Sequence, residues 1–308
     1  MINIEFKELR MKNTNKKWWS FASAKLQAKS PRLLAIIAIV AIIGIGFTAC
    51  GGDENTGGTH EHSWSAEWSS NATQHWKECT GAGCDAKTEI ANHQYVYTVT
   101  STSYPAQSIQ TCSCGETTGT ARNTIIGDRG PASGIIFYVA STGFTVQGYT
   151  GTTGSFTEYN AYYLEVSPAN EDYIQWGAYE TLIADVTTFT TYPPTATELI
   201  IGNGRKDTQI IVNHLATTEE TGRAAQVCAS KTVTVGGTVF NDWFMPSLGE
   251  LNEIYKAKGQ TGIPIETGWF WSSSQRDDVS AWAQLFSDGF QSRSIKTISY
   301  PVRAIRAF

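Results

Sequence analysis

Cysteine and histidine are the residues of this chain whose spacing could do chemistry. Cys79, Cys84, Cys112 and Cys114 crowd into one stretch, and two units repeat there. The first, "HSWSAEWSSNATQHWKECTGAGC", opens at His62 and closes on Cys79 and Cys84. The second, "HQYVYTVTSTSYPAQSIQTCSC", opens at His93 and closes on Cys112 and Cys114. The run His75-x3-Cys79-x4-Cys84-x8-His93 supplies two thiolates and two imidazoles, the number that a closed tetrahedral zinc site takes. Residues 60–122 hold too little apolar mass for a core of their own, so a staple is expected. Structural zinc on Cys79, Cys84, His75 and His93 is one expectation. Disulfides are the other, and thiols left as such a third. Cys112 and Cys114 are one residue apart, and a bond between them would be strained. No His-Glu-x-x-His pattern supplies a base beside an open metal position, so catalytic zinc is not expected.

The serines of "GWFWSSSQ" (268–275) raise a second chemistry, nucleophilic attack. A nucleophilic serine needs a base within hydrogen-bond reach. The C-terminal stretch has one histidine, His214, and no Gly-x-Ser-x-Gly surrounds Ser272 to Ser274. The plainer reading is an aromatic strand whose hydroxyls satisfy backbone groups. "IGNGRKDT" lacks the Gly-Lys-Ser/Thr ending of a phosphate loop. Cys228, in "GRAAQVCASK", reads as a buried, inert thiol.

The start of the chain bears on place. The first 49 residues carry eight Lys/Arg against two Asp/Glu, and Leu33 to Ala49 is an uncharged run ending at Cys50. A basic stretch, an apolar core and small residues make a secretory signal. "FTAC" followed by "GG" looks like the lipobox of bacterial lipoproteins, in which the cysteine is acylated; Met11 is an alternative start. The expectation is a signal peptide at 1–49, lipidation at Cys50, a Gly-rich tether at 50–59 and a membrane bond through acyl chains. The place is then the cell envelope, at the outer membrane or cell surface. Beyond residue 49 the net charge is −11, which argues against nucleic-acid binding.

Residues 123–308 read as an α+β domain. "GIIFYV" and "AYYLEVSP" are strands, separated by a Gly/Thr-rich surface loop. "TTEETGRAAQVCAS" is a helix with Thr217 and Glu220 as a capping box, and "PSLGELNEIYKAKG" a helix capped by Ser247 and Glu250. A hairpin turns at Gly236-Gly237, and another turn falls at Asp288-Gly289. The strands near the two ends of the domain, "IIFYV" and "VRAIRAF", are expected to pair.

The segments "GPASGIIFYV", "AAQVCAS", "NDWFMPSLGELNEIY", "FWSSSQ", "AWAQLFSDGFQ" and "VRAIRAF" occur in the order of one bacterial family. Over nearly all of 127–308 the chain resembles the C-terminal domain of the collagen-like adhesin. That family is similar in architecture to C-type-lectin-like and formylglycine-generating-type domains. The resemblance implies a compact lectin-like domain on a surface protein, glycan or matrix binding, and no established catalysis. The fold class expected is therefore α+β, a C-type-lectin-like domain behind a small Cys/His-rich module. Formylglycine-generating chemistry would need site cysteines, and only Cys228 is present.

For a ligand site, arginine can fork onto a carboxylate or sulfate and indole can stack on a sugar face. Arg276, Arg293, Trp269, Trp271 and Asp277 are the candidates. The plain alternative is that the tryptophans are core and that Arg303 and Arg306 are paired buried charges. The function expected is a lipid-anchored envelope protein with a non-catalytic domain for a glycan or extracellular protein. An envelope enzyme on the same fold, hydrolytic or cysteine-modifying, and a structural envelope lipoprotein are the rivals.

Overall fold

The computed structural model describes residues 61–260 and 267–308. The signal segment, Cys50 and the tether lie outside the described residues. Two units divide the rest: His62 with Gly81–Ala86, and Ser63–Thr80 with Lys87–Phe308. All the named strands and helices belong to the second unit. No helix among the described residues is long and apolar enough to cross a membrane.

Among the described residues strands dominate, with three helices. β1 (Ser69–Ser70), β2 (Gln74–Glu78) and β3 (Lys87–Asn92) form an antiparallel meander. β4 (Val96–Val99), β5 (Gln107–Thr111) and β6 (Thr117–Asn123) form a second. Then come β7 (Ile135–Val146), β8 (Tyr159–Val166), β9 (Ile174–Gln175), α1 (Gly204–Thr217), α2 (Ala224–Ser230), the hairpin β10 (Val233–Val235) and β11 (Thr238–Phe240), and α3 (Leu248–Ala257). β12 (Trp269–Gln275), β13 (Ser280–Leu285), β14 (Gln291–Ile295), β15 (Ser299–Tyr300) and β16 (Ile305–Ala307) complete the chain. An α+β assembly of small sheets was expected, and this is one.

The second meander is fused to the C-terminal domain. Val99 N–H donates to Arg129 O at 2.9 Å and Thr124 N–H to Ala106 O at 2.9 Å. Tyr163 Oη accepts from Ala106 N–H at 2.9 Å, and Tyr104 stacks on Tyr162 with centroids 4.8 Å apart. Val99, Ala106, Ile136 and Tyr163 share one buried cluster.

The aromatic strand β12 divides the two larger cores. Successive side chains of a strand point to opposite faces. Trp271 accordingly enters one core, beside Trp176 and Trp243. Phe270 enters the other, beside Phe137 and Trp282. Three of the buried indoles give their N–H to a backbone carbonyl. Trp271 donates to Ile174 O, Trp282 to Phe189 O and Trp176 to Ser272 O, at 3.0, 3.0 and 2.8 Å.

Three expectations need correction. β16 pairs with β8, not with β7: Arg306 faces Glu165, and β7 takes the other edge of β8. β8 is buried at five of its eight positions, so it fits between two neighbours. "STGFTV" belongs to β7 rather than to the loop, reached through register shifts after Ile136 and Val139. Thr217 ends a helix instead of starting one, because α1 runs through the preceding segment. α2 begins at Ala224, where Gln226 Oε1 accepts from Arg223 N–H at 3.0 Å. The α3 capping box is as expected: Ser247 Oγ accepts from Glu250 N–H, and Glu250 Oε2 from Ser247 N–H.

Candidate metal centre

Three segments deliver the Cys/His residues to one place. β2 carries His75, the residue after β3 is His93, and the β5–β6 turn carries Cys112 and Cys114. That turn is tight: Gly115 N–H donates to Cys112 O at 2.9 Å, and Cys112 N–H to Glu116 O at 2.8 Å. Gly115 sits at φ +95°, a conformation that a side chain would oppose. His75, His93, Cys112 and Cys114 each offer one ligand atom, and these lie within 4.8 Å of one another. Cys112 Sγ is 3.6 Å from His75 Nδ1, and Cys114 Sγ is 3.4 Å from His93 Nδ1. The group is close enough to hold a metal ion.

Its surroundings suit ligands. His93 Nε2 is 2.9 Å from Asn71 O, which makes Nε2 the protonated nitrogen and leaves the Nδ1 lone pair facing the sulfurs. His75 is buried with its ring edge against Trp68, 4.7 Å between centroids at 86°. Burial pushes the Cys112 thiol up, but backbone N–H groups of Cys114 and Gln94 and the ring of His93 outweigh it and bring the value down to about 6. Burial also pushes Cys114 up, and its contact with Cys112 adds to this. The contact with Cys112 raises His93. Two adjacent thiols resist losing both protons, and nearby positive charge relieves that resistance.

The structure groups the residues named from spacing differently. His75 and His93 come together, but with Cys112 and Cys114 instead of Cys79 and Cys84. Cys79 follows β2 and bridges Trp64. In the first unit, Cys84 Sγ lies 3.2 Å from His62 Nδ1. Linear spacing favoured the nearest cysteines, whereas the antiparallel meanders bring the β5–β6 turn to β2. The Cys-Ser-Cys-Gly sequence, two thiols on a glycine turn, was the signal that could have found it. Cys112, Cys114 and Cys228 carry thiols and not disulfides. Cys228 is fully buried, which pushes its thiol up, as an inert core cysteine should be.

The ligand candidates do not converge. Trp271 is core, turned inward by the alternation of β12. Trp269, partly buried, packs against Tyr300 at 6.1 Å. Arg276 lies past the other end of β12, about 20 Å from Trp269 at strand spacing. Arg276 pairs with Asp277 at 2.6 Å, and Asp277 Oδ1 caps a turn, accepting from Val279 N–H, Ser280 N–H and Ser280 Oγ. Arg293 is exposed on β14, opposite Trp282. Arg306 pairs with both Glu165 and Asp242, at 3.0 and 2.5 Å, and Arg303 Nε donates to Ser167 O at 2.8 Å.

The serines are bound to the fold. Ser272 Oγ donates to Trp282 O, Ser273 Oγ faces Asp207 and Ser274 Oγ accepts from Leu248 N–H. Sequence reading missed the buried charges behind them. Asp207 holds Thr187 N–H at 3.0 Å, and burial raises its carboxyl to about 7. Lys296 Nζ donates to Thr181 O at 2.7 Å, and burial lowers it to about 8.

A different surface offers ligand chemistry. A cleft of about 380 Å³ is lined by Thr187, Thr188, Thr190, Thr191, Thr197 and Glu198 around the edge of Phe189. Glu198 is held low by hydrogen bonds from the Thr195 N–H and hydroxyl. Next in the chain stands Tyr192, half-exposed, meeting half-exposed Phe290 edge to face at 6.3 Å.

No family model matches the chain. No curated protein matches it either. Among solved structures, a fimbrial protein from Bacteroides ovatus ATCC 8483 is similar over 76% of this chain, with 15% identity and a TM-score of 0.41. The chain spans 57% of the length of that structure. A likeness at that level carries no functional argument, so the adhesin-family resemblance rests on the sequence motifs themselves.

Proposed function

We propose that this chain is a lipid-anchored envelope protein, facing outward, whose lectin-like C-terminal domain holds a glycan without altering it. The observation that carries the reading is the threonine-lined cleft, followed directly in the chain by Tyr192, whose exposed ring meets Phe290. Hydroxyls and a carboxylate can trade hydrogen bonds with sugar hydroxyls, and exposed rings can stack on the apolar face of a pyranose. The net charge of −6 over residues 123–308 favours neutral or amino sugars over sulfated ones. The motif order of the adhesin resemblance and the "FTACGG" lipobox support the same reading. The Ser272 and Ser274 hydroxyls are taken up by Trp282 O and Leu248 N–H, which supports binding over serine catalysis.

A glycan array probed with the full chain tests it, alongside Tyr192→Ala and Glu198→Gln. A defined group of sugars bound by the wild type and lost in both variants supports the reading. Hits unchanged by either variant place the ligand elsewhere. An array without hits favours a structural envelope lipoprotein, and turnover of a bound glycan favours an enzyme.

A further inference from the structure

We propose that His75, His93, Cys112 and Cys114 bind one zinc ion in a closed, structural, tetrahedral site that clasps the β1–β3 meander to the β4–β6 meander. This inference does not rest on the glycan reading.

Geometry carries it first. Zn–S bonds of about 2.3 Å and Zn–N bonds of about 2.05 Å, at the tetrahedral angle, put sulfur and nitrogen about 3.6 Å apart. The two S···N separations, 3.6 and 3.4 Å, are the edges of such a tetrahedron. A neutral thiol on an imidazole would satisfy one pair, but not four ligand atoms all within 4.8 Å. The donor set narrows the metal: two thiolates with two imidazoles suit zinc, whereas calcium and magnesium take oxygen. All four positions are filled by protein, so no place is left for a reacting water, and the role is structural.

The second argument is what surrounds the ligands. His93 is oriented by Asn71 O. The turn that carries the two thiols is fixed by its own bonds, Cys112 N–H to Glu116 O at 2.8 Å and Gly115 N–H to Cys112 O at 2.9 Å. Such outer bonds fix ligands in structural metal sites.

The third argument is need. Within 63–80 and 87–95, His75 is the only buried residue. β3 reads exposed at five of its six positions. A three-stranded sheet whose one buried side chain is an imidazole has no apolar core to hold it. Binding the ion, with the two thiol protons released to solvent, supplies that missing free energy.

The test uses the wild-type full chain in detergent, with zinc or a chelator, and alkylation of thiols read by mass spectrometry. Zinc should protect Cys112 and Cys114 from alkylation at least tenfold, and the chelator should remove that protection while Cys228 stays unlabelled. Cobalt offered to the same protein should give thiolate charge-transfer and tetrahedral d–d absorption, and Cys112→Ser with Cys114→Ser should bind about one metal equivalent less. Labelling of Cys112 and Cys114 that ignores zinc would overturn the proposal. So would a Cys112–Cys114 disulfide in the isolated protein, or a double variant that keeps its full metal content. The alkylation arm needs no variant, so misfolding of the double mutant does not blunt it.

Discussion

The β1–β3 meander and the domain from Thr124 onward are built on opposite principles. The meander has small, polar, exposed strands and one buried residue, a histidine. The domain has two apolar cores on either side of β12, with Trp176, Trp243, Trp271 and Trp282 sealed inside. Both belong to one chain, yet the first gathers side chains close enough to hold a cation, and the second buries apolar area away from water. The β4–β6 meander stands between, sharing the metal ligands with the first and the Val99, Ala106, Tyr163 cluster with the second.

Changes in the apolar domain should act there and leave the metal site loaded. The largest effect is expected from Arg306→Met. It strands Glu165, which is fully buried and whose carboxyl burial already pushes up. Breaking one side of a buried pair costs about 3–5 kcal/mol. Denaturant melts should show that loss, with zinc content unchanged. A loss of zinc in this variant would break the separation of the two regions.

Next comes pH. Asp207 titrates near 7 when folded and near 3.9 when unfolded. Between those values the folded state binds more protons, so stability falls as pH rises from 4 through 7. Lys296 adds a separate limb. Folded near 8 and unfolded near 10.4, it leaves the unfolded state with more protons, so stability rises with pH across that window. Asp207→Asn keeps the Thr187 hydrogen bond and should flatten the fall, by up to about 4 kcal/mol at pH 7.5. Urea midpoints from pH 4 to 8 read this, and an unaltered slope would contradict it.

Ser273→Ala should cost about 1 kcal/mol or less, because its long 3.5 Å contact to Asp207 is weak. A loss of several kcal/mol would give this serine a larger part in holding β12. Smallest of all, Arg293→Ala should leave the melting temperature where it was, since the side chain is exposed on β14. A marked drop would show that Arg293 is bound into the fold.

Much of the apolar half was legible in the sequence. The run of aromatics in "WFWSSS" marked β12, and Ser247 with Glu250 marked the start of α3. α1 escaped because its buried face includes Gly204, Asp207 and Thr208 as well as Ile211 and Leu215, so no apolar stripe marked it. The pairing of β16 escaped because strand order depends on long-range packing. In the metal half the residue types were legible and the partners were not. His75 and His93 were found, but Cys112 and Cys114 joined them only once the meanders had folded. Trp271 lies in the core rather than on a surface with Arg276, because aromatic content signals core and surface alike and burial decides.

Hydrogen–deuterium exchange of the full chain, with zinc and with a chelator, tests the central claim most directly. Removing metal should speed amide exchange in β2 and β3, residues 74–92, at least tenfold, while β7, β8, β12 and β13 exchange as before. Unchanged protection in β2 and β3 under chelator would contradict a metal-held meander beside a core-held domain.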